Sequence, residues 1–470
     1  MELKKDDCVT LAIKDIGTGG EGIGSVDGYT LFVKDAIIGD VIEAKVIKAK
    51  KNYGYGRLTK IITPSKDRVE PKCPVARQCG GCQIQEMSYE AQLRYKEKLV
   101  MDNLARIGGL TDFEMYPVIG MDEPYYYRNK AQYPVGRDKN GRLVMGFYAG
   151  RTHYIIDNTD CCIGAKVNKE ILAAVRQYME DNNVSAYDEE SHKGLIRHIL
   201  IRTGFHTGQI MVCIIINGSS LPKAQQLISR LEGINGMTSI MININRENTN
   251  VILGQQCKTL WGKSYIEDSI CGITYQISPL SFFQVNPMQT EKLYRKAMEY
   301  ADLKGDETVW DLYCGIGTIS LFLASKAKKV YGVEIVPQAI DDACSNAARN
   351  GITNAEFFVG KAEEVVPAFY EEMKRKAANG DEEAKRSIAP DVVVVDPPRK
   401  GCDETLMATM VKMSPDRIVY VSCDSATLAR DLKYLSANGY KVEKVQPLDQ
   451  FGHTVCVECV VRLSKRKEDD

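Results

Sequence analysis

The sequence predicts an α/β protein whose C-terminal part is a parallel sheet with helices on both faces. From residue 286 onward, short apolar runs alternate with helical patterns, as in strands that are buried on both sides. The first 62 residues indicate short strands separated by glycine turns, and the middle of the chain mixes strands with helices. We therefore predict three domains: a β-barrel in residues 1–62, an α+β central domain in 63–275, and the doubly wound domain in 276–470.

Composition narrows the function classes. The chain has 470 residues, 44% of them hydrophobic and 26% charged, which is typical of a folded globular protein. No stretch approaches the ~18 uncharged apolar residues of a membrane span, and the N-terminus lacks an apolar targeting run, so we expect a cytoplasmic protein. Fifteen cysteines without a secretion signal favour thiols, metal ligands or nucleophiles over a disulfide framework.

The N-terminal strands are predicted at residues 8–16, 29–33, 41–47 and 53–62, which suits a small barrel of the oligonucleotide-binding kind. Residues 44–66 carry seven basic side chains, no acidic one, and the pair Tyr53 and Tyr55. Such a strip can hold phosphates while an aromatic ring stacks on a base. The alternative is a solvated strand edge whose lysines prevent aggregation.

Two helices have clear start signals. Ser88 is placed to cap a helix that continues to about residue 107, and Asn286 followed by Pro287 begins another. The strands of the C-terminal sheet are predicted at residues 308–312, 330–333, 355–359, 392–395 and 418–422. A charged, alanine-rich stretch at 371–385 is predicted to be a solvated helix or loop insertion.

The first strand of that sheet leads into a glycine turn. Residues 309–318 read VWDLYCGIGT, with Gly315 and Gly317 at the turn, and Glu334 ends the next strand. Glycines there let the backbone approach a ligand, and the acidic residue can bind ribose hydroxyls. Because Ser320 replaces the third glycine of a dinucleotide fingerprint, the pattern disfavours NAD. It resembles the S-adenosylmethionine site of Rossmann-like methyltransferases; the alternative is a structural turn without a ligand.

Asp396 ends the fourth predicted strand, in DVVVVDPPRKG. The carboxyl ends of strands in doubly wound sheets are where ligands bind, so Asp396 is expected to face the same crevice as Glu334. An aspartate in an ordinary strand-ending turn is the alternative.

Cys423 ends the fifth strand and precedes a helix, in IVYVSCDSATLARDL. A thiol near helix N-terminal amides is expected to have its thiolate favoured, as a nucleophile requires, whereas many strand cysteines are buried and inert. Near the C-terminus, Glu458 lies among valines, where desolvation would raise its pKa toward neutrality and make it a base. It could also be an outward-facing residue of an alternating strand.

A thiol, a carboxylate and a methyl donor together suggest methylation of a pyrimidine carbon. C5 of uracil is a weak nucleophile until a thiolate adds to C6 and converts the ring to an enolate. After methyl transfer, a base must remove the C5 proton before the thiolate leaves. Cys423 is the predicted nucleophile and Glu458 the predicted base.

These motifs resemble the RNA (uracil-5-)-methyltransferase family over essentially the whole chain, and specifically the bacterial 23S ribosomal-RNA branch with an N-terminal TRAM domain and an iron–sulfur cluster. The segments that carry the resemblance are SPLSFFQVNP, DLYCGIGT, DPPRKG, VSCDSATLARD and HTVCVE. The resemblance implies a Rossmann-like methyltransferase domain behind an OB-like TRAM barrel. It also implies that Gln284, Tyr313, Glu334 and Asp396 contact the cofactor.

The resemblance further implies a [4Fe–4S] cluster. Cys73, Cys79 and Cys82 fit the family spacing C-x5-C-x2-C, and the fourth ligand is expected at Cys161, with the adjacent Cys162 as the alternative. Four thiolates suit zinc as well as an iron–sulfur cluster, and only the resemblance favours iron.

The chain departs from the family pattern at two places. Asp424 and Ser425 follow the nucleophile where the family usually has asparagine and proline, and Cys456 stands where a histidine commonly precedes the base. The second change removes a proton relay, a role that His453 or water could take.

We therefore expect a monomeric enzyme that forms 5-methyluridine in 23S ribosomal RNA. The alternative within the class is a transfer-RNA uridine methyltransferase, although such relatives as a rule lack both the barrel and the cluster cysteines. A non-catalytic RNA-binding assembly factor predicts a lost nucleophile or cofactor turn, and this chain keeps both. A methylase of ring nitrogens would be expected to carry an aromatic residue where Arg399 follows the prolines.

Overall fold

A computed structural model describes residues 3–150, 152–381, 384 and 389–466. Its strands form a closed five-stranded barrel, a seven-stranded sheet, a two-stranded hairpin and an eight-stranded sheet. The predicted fold class is confirmed: a barrel at the N-terminus and a helix-covered, largely parallel sheet at the C-terminus. In the described part of the chain no helix is long and apolar enough to cross a membrane.

The barrel strands follow the predicted pattern closely. They are β1 (Cys8–Ile16), β2 (Gly22–Val26), β3 (Tyr29–Lys34), β4 (Val41–Ala49) and β5 (Tyr53–Thr63), in the closed order β1-β2-β3-β5-β4. Alternate residues such as Leu31 and Val33 are fully buried inside the barrel, while their neighbours face outward. This period of two is what the sequence pattern predicted.

A cysteine-containing loop leads from the barrel to α1 (Tyr89–Asn103), which Ser88 caps by accepting a hydrogen bond from Ala91 N. A π-helical turn, Leu104–Gly108, ends this helix. The elements that follow are β6 (Glu114–Met115), β7 (Lys130–Arg137), β8 (Leu143–Tyr148), β9 (Ile155–Asp157), α2 (Asn168–Asp181), β10 (Ile196–Thr203), β11 (Ile210–Ile216), α3 (Ala224–Leu231), β12 (Met237–Ile244) and β13 (Gln256–Gly262). The central sheet has the order β13-β12-β11-β10-β7-β8-β9.

The C-terminal part begins with the hairpin β14 (Ile266–Ile270) and β15 (Ile273–Ile277). It continues with α4 (Pro287–Ala301), β16 (Thr308–Leu312), α5 (Thr318–Ala324), β17 (Lys329–Glu334), α6 (Pro337–Arg349), β18 (Ala355–Val359), α7 (Ala362–Ala378), β19 (Val392–Val395), α8 (Glu404–Met413), β20 (Arg417–Ser422), α9 (Ser425–Ala437), β21 (Tyr440–Leu448) and β22 (Glu458–Lys465). Asn286 caps α4 as predicted, by accepting a hydrogen bond from Gln289 N.

The eight-stranded sheet has the order β18-β17-β16-β19-β20-β22-β21-β6. Val392 and Val394 pack into one hydrophobic core and Val393 and Val395 into another, so both faces of the sheet are buried. β22 runs antiparallel between β20 and β21, and β6 adds a strand from the central region. Sequence reasoning did not anticipate β6, whose two residues carry no strand periodicity.

The charged stretch predicted at 371–385 begins as the C-terminal half of α7, which confirms a helix there. Residues 382–383 and 385 lie outside the described residues.

Candidate active site

Three neighbouring parallel strands end beside one crevice and bring the predicted cofactor residues together. Leu312 at the end of β16 is paired with Val333 of β17 and Val395 of β19. Tyr313, Glu334 and Asp396 are each at or just beyond these paired positions. The sheet register therefore places the three residues at the same carboxyl edge, where ligands bind in doubly wound sheets.

The turn after β16 winds through left-handed backbone. The φ angle is +69° at Tyr313, +55° at Gly315 and +80° at Gly317, and a side chain at Gly315 would point into open space. Glu334 is oriented by this turn, because Gly315 N donates to its Oε2 at 3.3 Å and Val336 N donates to its Oε1 at 3.0 Å. Backbone thus lines an open space beside a fixed carboxylate, as a nucleoside ligand requires.

Asp311 is an acidic residue at this edge that sequence reasoning missed. Burial within β16 raises the pKa of its carboxyl to about 7. Ser320 donates a hydrogen bond to Oδ2, while buried Oδ1 has no partner among the described residues. The signal was present, since Asp311 interrupts an otherwise apolar strand. The unpartnered oxygen and the exposed apolar side chains of Ile335 and Val336 fit a bound cofactor with polar and apolar parts.

Gln284 lies between the hairpin and α4. Its backbone oxygen accepts a hydrogen bond from Asn129 Nδ2 at 2.9 Å, which attaches this segment to the central region. Contact of its side chain with the cofactor stays a prediction.

Cys423 and Glu458 face each other across two antiparallel strands. Ser422, the last residue of β20, is paired with Cys459 of β22, so the next positions are Cys423 and Glu458. Glu458 is buried, with 5% of its surface exposed, and Cys423 is partly exposed. The outward-facing alternative for Glu458 is therefore excluded.

Three titratable groups of this pocket have differently shifted pKa values. Burial, together with the charge of Asp396, raises the pKa of Glu458 to about 8, and burial raises the pKa of Asp396 to about 6. Burial and the two carboxylates raise the pKa of Cys423 to about 12. Glu458 is thus poised to exchange protons near neutrality.

The raised pKa of Cys423 differs from the expectation that helix amides favour its thiolate. The reason is local: Asp424 caps α9, and its Oδ1 accepts the hydrogen bonds of Ala426 N and Thr427 N. The thiol instead faces carboxylates, which disfavour a second negative charge.

Arg399 supplies the opposing charge, and sequence reasoning gave it no role in the site. Its positive charge lowers the pKa of both Cys423 and Glu458, against the larger effect of burial. Its Nη2 lies 4.0 Å from Cys456 Sγ, as donor to the sulfur. Cys456, which replaces the expected histidine, therefore contacts the guanidinium of this pocket.

His453 is held in a structural network. Its ring stacks on Tyr125 with centroids 4.5 Å apart, and its Nδ1 lies 3.1 Å from Gln92 Nε2. Its backbone oxygen accepts hydrogen bonds from Gln83 N and Ile84 N. Burial lowers the pKa of this imidazole to about 4, so the ring is neutral at pH 7 and is a poor substitute for the missing relay.

The predicted cluster cysteines come together around the loop that precedes α1. Cys73, Cys82, Cys161 and Cys162 belong to one small hydrophobic core with Tyr127 and Ile163. Cys79 lies close enough to interact with this group. Burial raises the pKa of its thiol, and negative charge at Cys161 and Cys73 raises it further.

Cys73 interacts with Cys162, which sequence reasoning gave only as the alternative ligand. A hydrogen bond between these two thiols lowers the pKa of Cys73 to about 6. Amides contact the same sulfurs, with Asn158 Nδ2 at 3.9 Å from Cys73 Sγ and Gln85 Nε2 at 3.7 Å from Cys162 Sγ. Among the described residues, no group of three or more cysteine, histidine or acidic side chains is arranged to hold a metal ion. The thiol-rich donor set fits iron or zinc chemically, but a metal site is not shown.

Comparison with known proteins identifies the fold and its chemistry. Residues 219–466 match the family model described as tRNA (Uracil-5-)-methyltransferase, which is more than half of the chain. The chain belongs to the RNA (uracil-5-)-methyltransferase family. Residues 7–59 match the TRAM domain, so the barrel of this methyltransferase is a TRAM domain.

Relatives and a solved structure agree with this assignment. Proteins named "Uncharacterized RNA methyltransferase" from Clostridium tetani and Halalkalibacterium halodurans are each 50% identical, over 98% of this chain and 97% and 98% of their own length. The structure of the Pyrococcus abyssi tRNA (uracil-54, C5)-methyltransferase in complex with S-adenosyl-L-homocysteine is 26% identical with a TM-score of 0.75. The match covers 97% of this chain and 100% of that one. This RNA methyltransferase therefore uses S-adenosylmethionine.

Proposed function

We propose that this methyltransferase forms 5-methyluridine in 23S ribosomal RNA through a transient bond between Cys423 and C6 of the target uracil. The observation that carries the proposal is the opposition of Cys423 and Glu458 across β20 and β22. Asp396 directly follows the strand next to β20, and the glycine turn follows the strand after that. A nucleophile, a proton acceptor and a methyl-donor site then share one crevice.

The first step is addition of the Cys423 sulfur to C6, which breaks the C5–C6 double bond and makes C5 nucleophilic. The thiol must first lose its proton to solvent, a loss that the positive charge of Arg399 favours. The same positive charge also favours the carboxylate of Glu458. The cofactor, when bound, supplies the electrophilic methyl group that C5 accepts.

The second half of the reaction restores the aromatic ring. Ionised Glu458 takes the proton from C5, the electrons of that C–H bond re-form the C5–C6 double bond, and the Cys423 sulfur leaves C6. Glu458 then returns this proton to the Cys423 thiolate, so the proton released overall is the one that the thiol lost at the start. Atoms and charge balance without any oxidant: one methyl group is gained by the RNA and one proton is released. Tyr313, Gly315, Gly317, Glu334, Asp396 and Gln284 are the proposed cofactor-binding residues.

The choice of ribosomal RNA rests on the resemblance to the branch with cluster cysteines. The barrel does not discriminate, because the Pyrococcus abyssi enzyme, named for transfer RNA, matches 97% of this chain including the barrel region. That match favours transfer-RNA uridine as the second candidate substrate.

A [4Fe–4S] cluster bound by Cys73, Cys79, Cys82 and Cys161, with Cys162 as the alternative fourth ligand, is part of the proposal. Its support is the thiol-rich core that these cysteines form. We also propose a monomer that works in the cytoplasm, a location that follows from a ribosomal substrate.

The test is a methylation assay with both RNAs. Purified protein is incubated with S-adenosylmethionine and either unmodified 23S ribosomal RNA or an unmodified transfer-RNA pool, and 5-methyluridine is measured by mass spectrometry of the nucleosides. We expect product in the ribosomal RNA. Product only in the transfer RNA would establish the second candidate, and product in neither would refute uridine methylation.

A further inference from the structure

The outer face of the barrel carries an aromatic group that the active site does not use. Phe32 on β3 lies 5.6 Å from Tyr55 and 5.8 Å from Tyr53 on β5, measured between ring centroids. Tyr53 and Tyr55 are themselves 5.9 Å apart. All three rings are partly exposed, although barrel strands usually bury aromatic residues inward.

The strand register explains why these rings share one face. β3 and β5 are parallel, with Thr30 opposite Tyr53 and Phe32 opposite Tyr55. Leu31, between Thr30 and Phe32, points into the core, so its neighbours point outward. The rings therefore form a continuous platform across two strands.

The platform borders a cleft of about 610 Å³. The loop between β1 and β2 contributes Thr18, Gly19 and Glu21 to its wall, and Asn52 contributes from the turn before β5. A planar ligand placed on the rings would thus meet hydroxyl, amide, carboxylate and backbone groups at its edge, and the carboxylate can accept hydrogen bonds from the amino groups of a base. This combination of stacking surface and polar rim suits a nucleobase.

Basic side chains lie next to the platform on β3, β4 and β5. Lys48 on β4 is opposite Tyr55, and Lys34 and Arg57 form the next outward pair along β3 and β5. Lys50 Nζ donates a hydrogen bond to Tyr53 Oη at 3.0 Å. Among the described residues, Lys48 and Lys51 have no ion-pair partner. An extended phosphate backbone could therefore pass the rings on either side.

We propose that Phe32, Tyr53 and Tyr55 form a stacking site for an unpaired base of the substrate RNA, separate from the pocket that holds the target uracil. The occupant is a single-stranded segment, since bases within a duplex do not expose their faces. This inference deepens the proposed function, because it assumes an RNA substrate, but it concerns binding and not methyl transfer.

The experiment measures stacking without the methyl donor. Full-length protein is titrated into a short unstructured oligoadenylate that carries one 2-aminopurine, and both fluorescence quenching and anisotropy are recorded. For the wild type we expect quenching on binding. Phe32→Leu, which keeps apolar bulk but removes the ring, should abolish most of the quenching and weaken binding about tenfold.

Three comparisons separate stacking from charge and from misfolding. Tyr154→Ala removes an aromatic residue that is 56% exposed outside the barrel, and it should leave the titration unchanged. Tyr55→Phe keeps the ring and should behave like the wild type. Lys48→Ala should lower the salt dependence of log K by about 0.7, while Phe32→Leu should not change it.

Equal quenching by the wild type and Phe32→Leu would overturn the inference. The aromatic face of the barrel would then be better explained as a binding surface for a protein. Absence of 5-methyluridine from every RNA would instead refute the proposed function. The two failures are distinguishable because the titration contains no methyl donor.

Discussion

Two regions of this methyltransferase concentrate cysteine chemistry, and they differ in what surrounds the sulfur. In the crevice the thiol of Cys423 faces the carboxyls of Glu458 and Asp396. In the loop before α1, Cys73 faces another thiol, Cys162, and the amides of Asn158 and Gln85 contact this pair.

The groups that surround each thiol determine which chemistry it can perform. A thiol beside a carboxyl of pKa about 8 has next to it a group that can exchange a proton with the substrate near neutrality, so it suits covalent catalysis. The thiols of Cys73 and Cys162 have each other and amides as partners in these contacts, without a carboxylate, and they suit binding of a soft metal.

The two regions also touch. Gln83 N and Ile84 N, from the cysteine loop, donate to the backbone oxygen of His453, and Tyr127 Oη donates to Gly452 O at 3.0 Å. His453 and Gly452 belong to the connection between β21 and β22 that leads to Glu458. The cysteine loop thus supports the segment that carries the proposed base.

The largest effect is expected at the nucleophile. Cys423→Ala should lower kcat by about four orders of magnitude or more, because without the sulfur C5 of uracil stays unactivated. Cys459→Ala, a neighbouring buried cysteine without a proposed role, is the control and should keep most activity. Turnover is measured by methyl incorporation into RNA. An active Cys423→Ala enzyme would contradict the assignment of covalent catalysis to the thiol of the crevice.

Replacement of the base is expected to cost less turnover but to trap an intermediate. Glu458→Gln should lower kcat about 10²- to 10⁴-fold, because a general base of this kind contributes that much. Methylated RNA should remain bonded to the protein and appear as a slower band in a denaturing gel. Normal product release by this variant would exclude Glu458 as the group that takes the C5 proton.

The same substitution should also change how the free energy of unfolding depends on pH, because the Glu458 carboxyl is buried. The pKa of Glu458 is about 8 in the folded chain and about 4.5 in the unfolded chain, so the folded state holds the extra proton. Stability of the wild type should therefore fall as pH rises from about 4.5 to 8. Glu458→Gln does not titrate, and should be more stable than the wild type by about 3 kcal/mol at pH 7.

Unfolding of both proteins is followed by calorimetry across this pH range. At pH 5 we expect little difference between them. A difference that shrinks with rising pH would contradict a neutral, buried Glu458.

The smallest effect on activity is expected in the cysteine loop. Cys79→Ser should remove most iron and visible colour from anaerobically purified protein, yet lower kcat only about tenfold, since backbone contacts still support the loop. Cys213→Ser, in the central sheet, is the matched control and should keep its iron. If the wild-type protein is colourless and contains zinc, the proposed cluster is wrong and the cysteines form a zinc site.

Much of the fold could be predicted because it depends on local periodicity. The strands β16, β18 and β19 are apolar runs bounded by turns, and the predicted limits at residues 308–312, 355–359 and 392–395 match the structure. The placement of β6 depends on pairing with β21, a contact between residues more than 300 positions apart that no local pattern records.

For the candidate site, the sequence could predict where the proposed residues lie in the fold, but not the pKa values and charges around them. Strand ends identified Glu334, Asp396 and Cys423 because carboxyl edges of parallel strands share one crevice. The sequence could not show that Asp424 accepts the hydrogen bonds of the helix amides, or that the charge of Arg399, from another loop, lowers the pKa of the Cys423 thiol. Both depend on side-chain directions that only the packed structure determines.

The most direct test of the central claim is the identity of the sulfur that bonds to RNA. Wild-type protein is incubated with S-adenosylmethionine and RNA that contains 5-fluorouridine, from which no C5 proton can be removed, and the adduct is mapped by peptide mass spectrometry. We predict one modified peptide, with the nucleotide on Cys423. An adduct on Cys456, which lies beside Arg399 in the same pocket, or no adduct with active enzyme, would contradict the account.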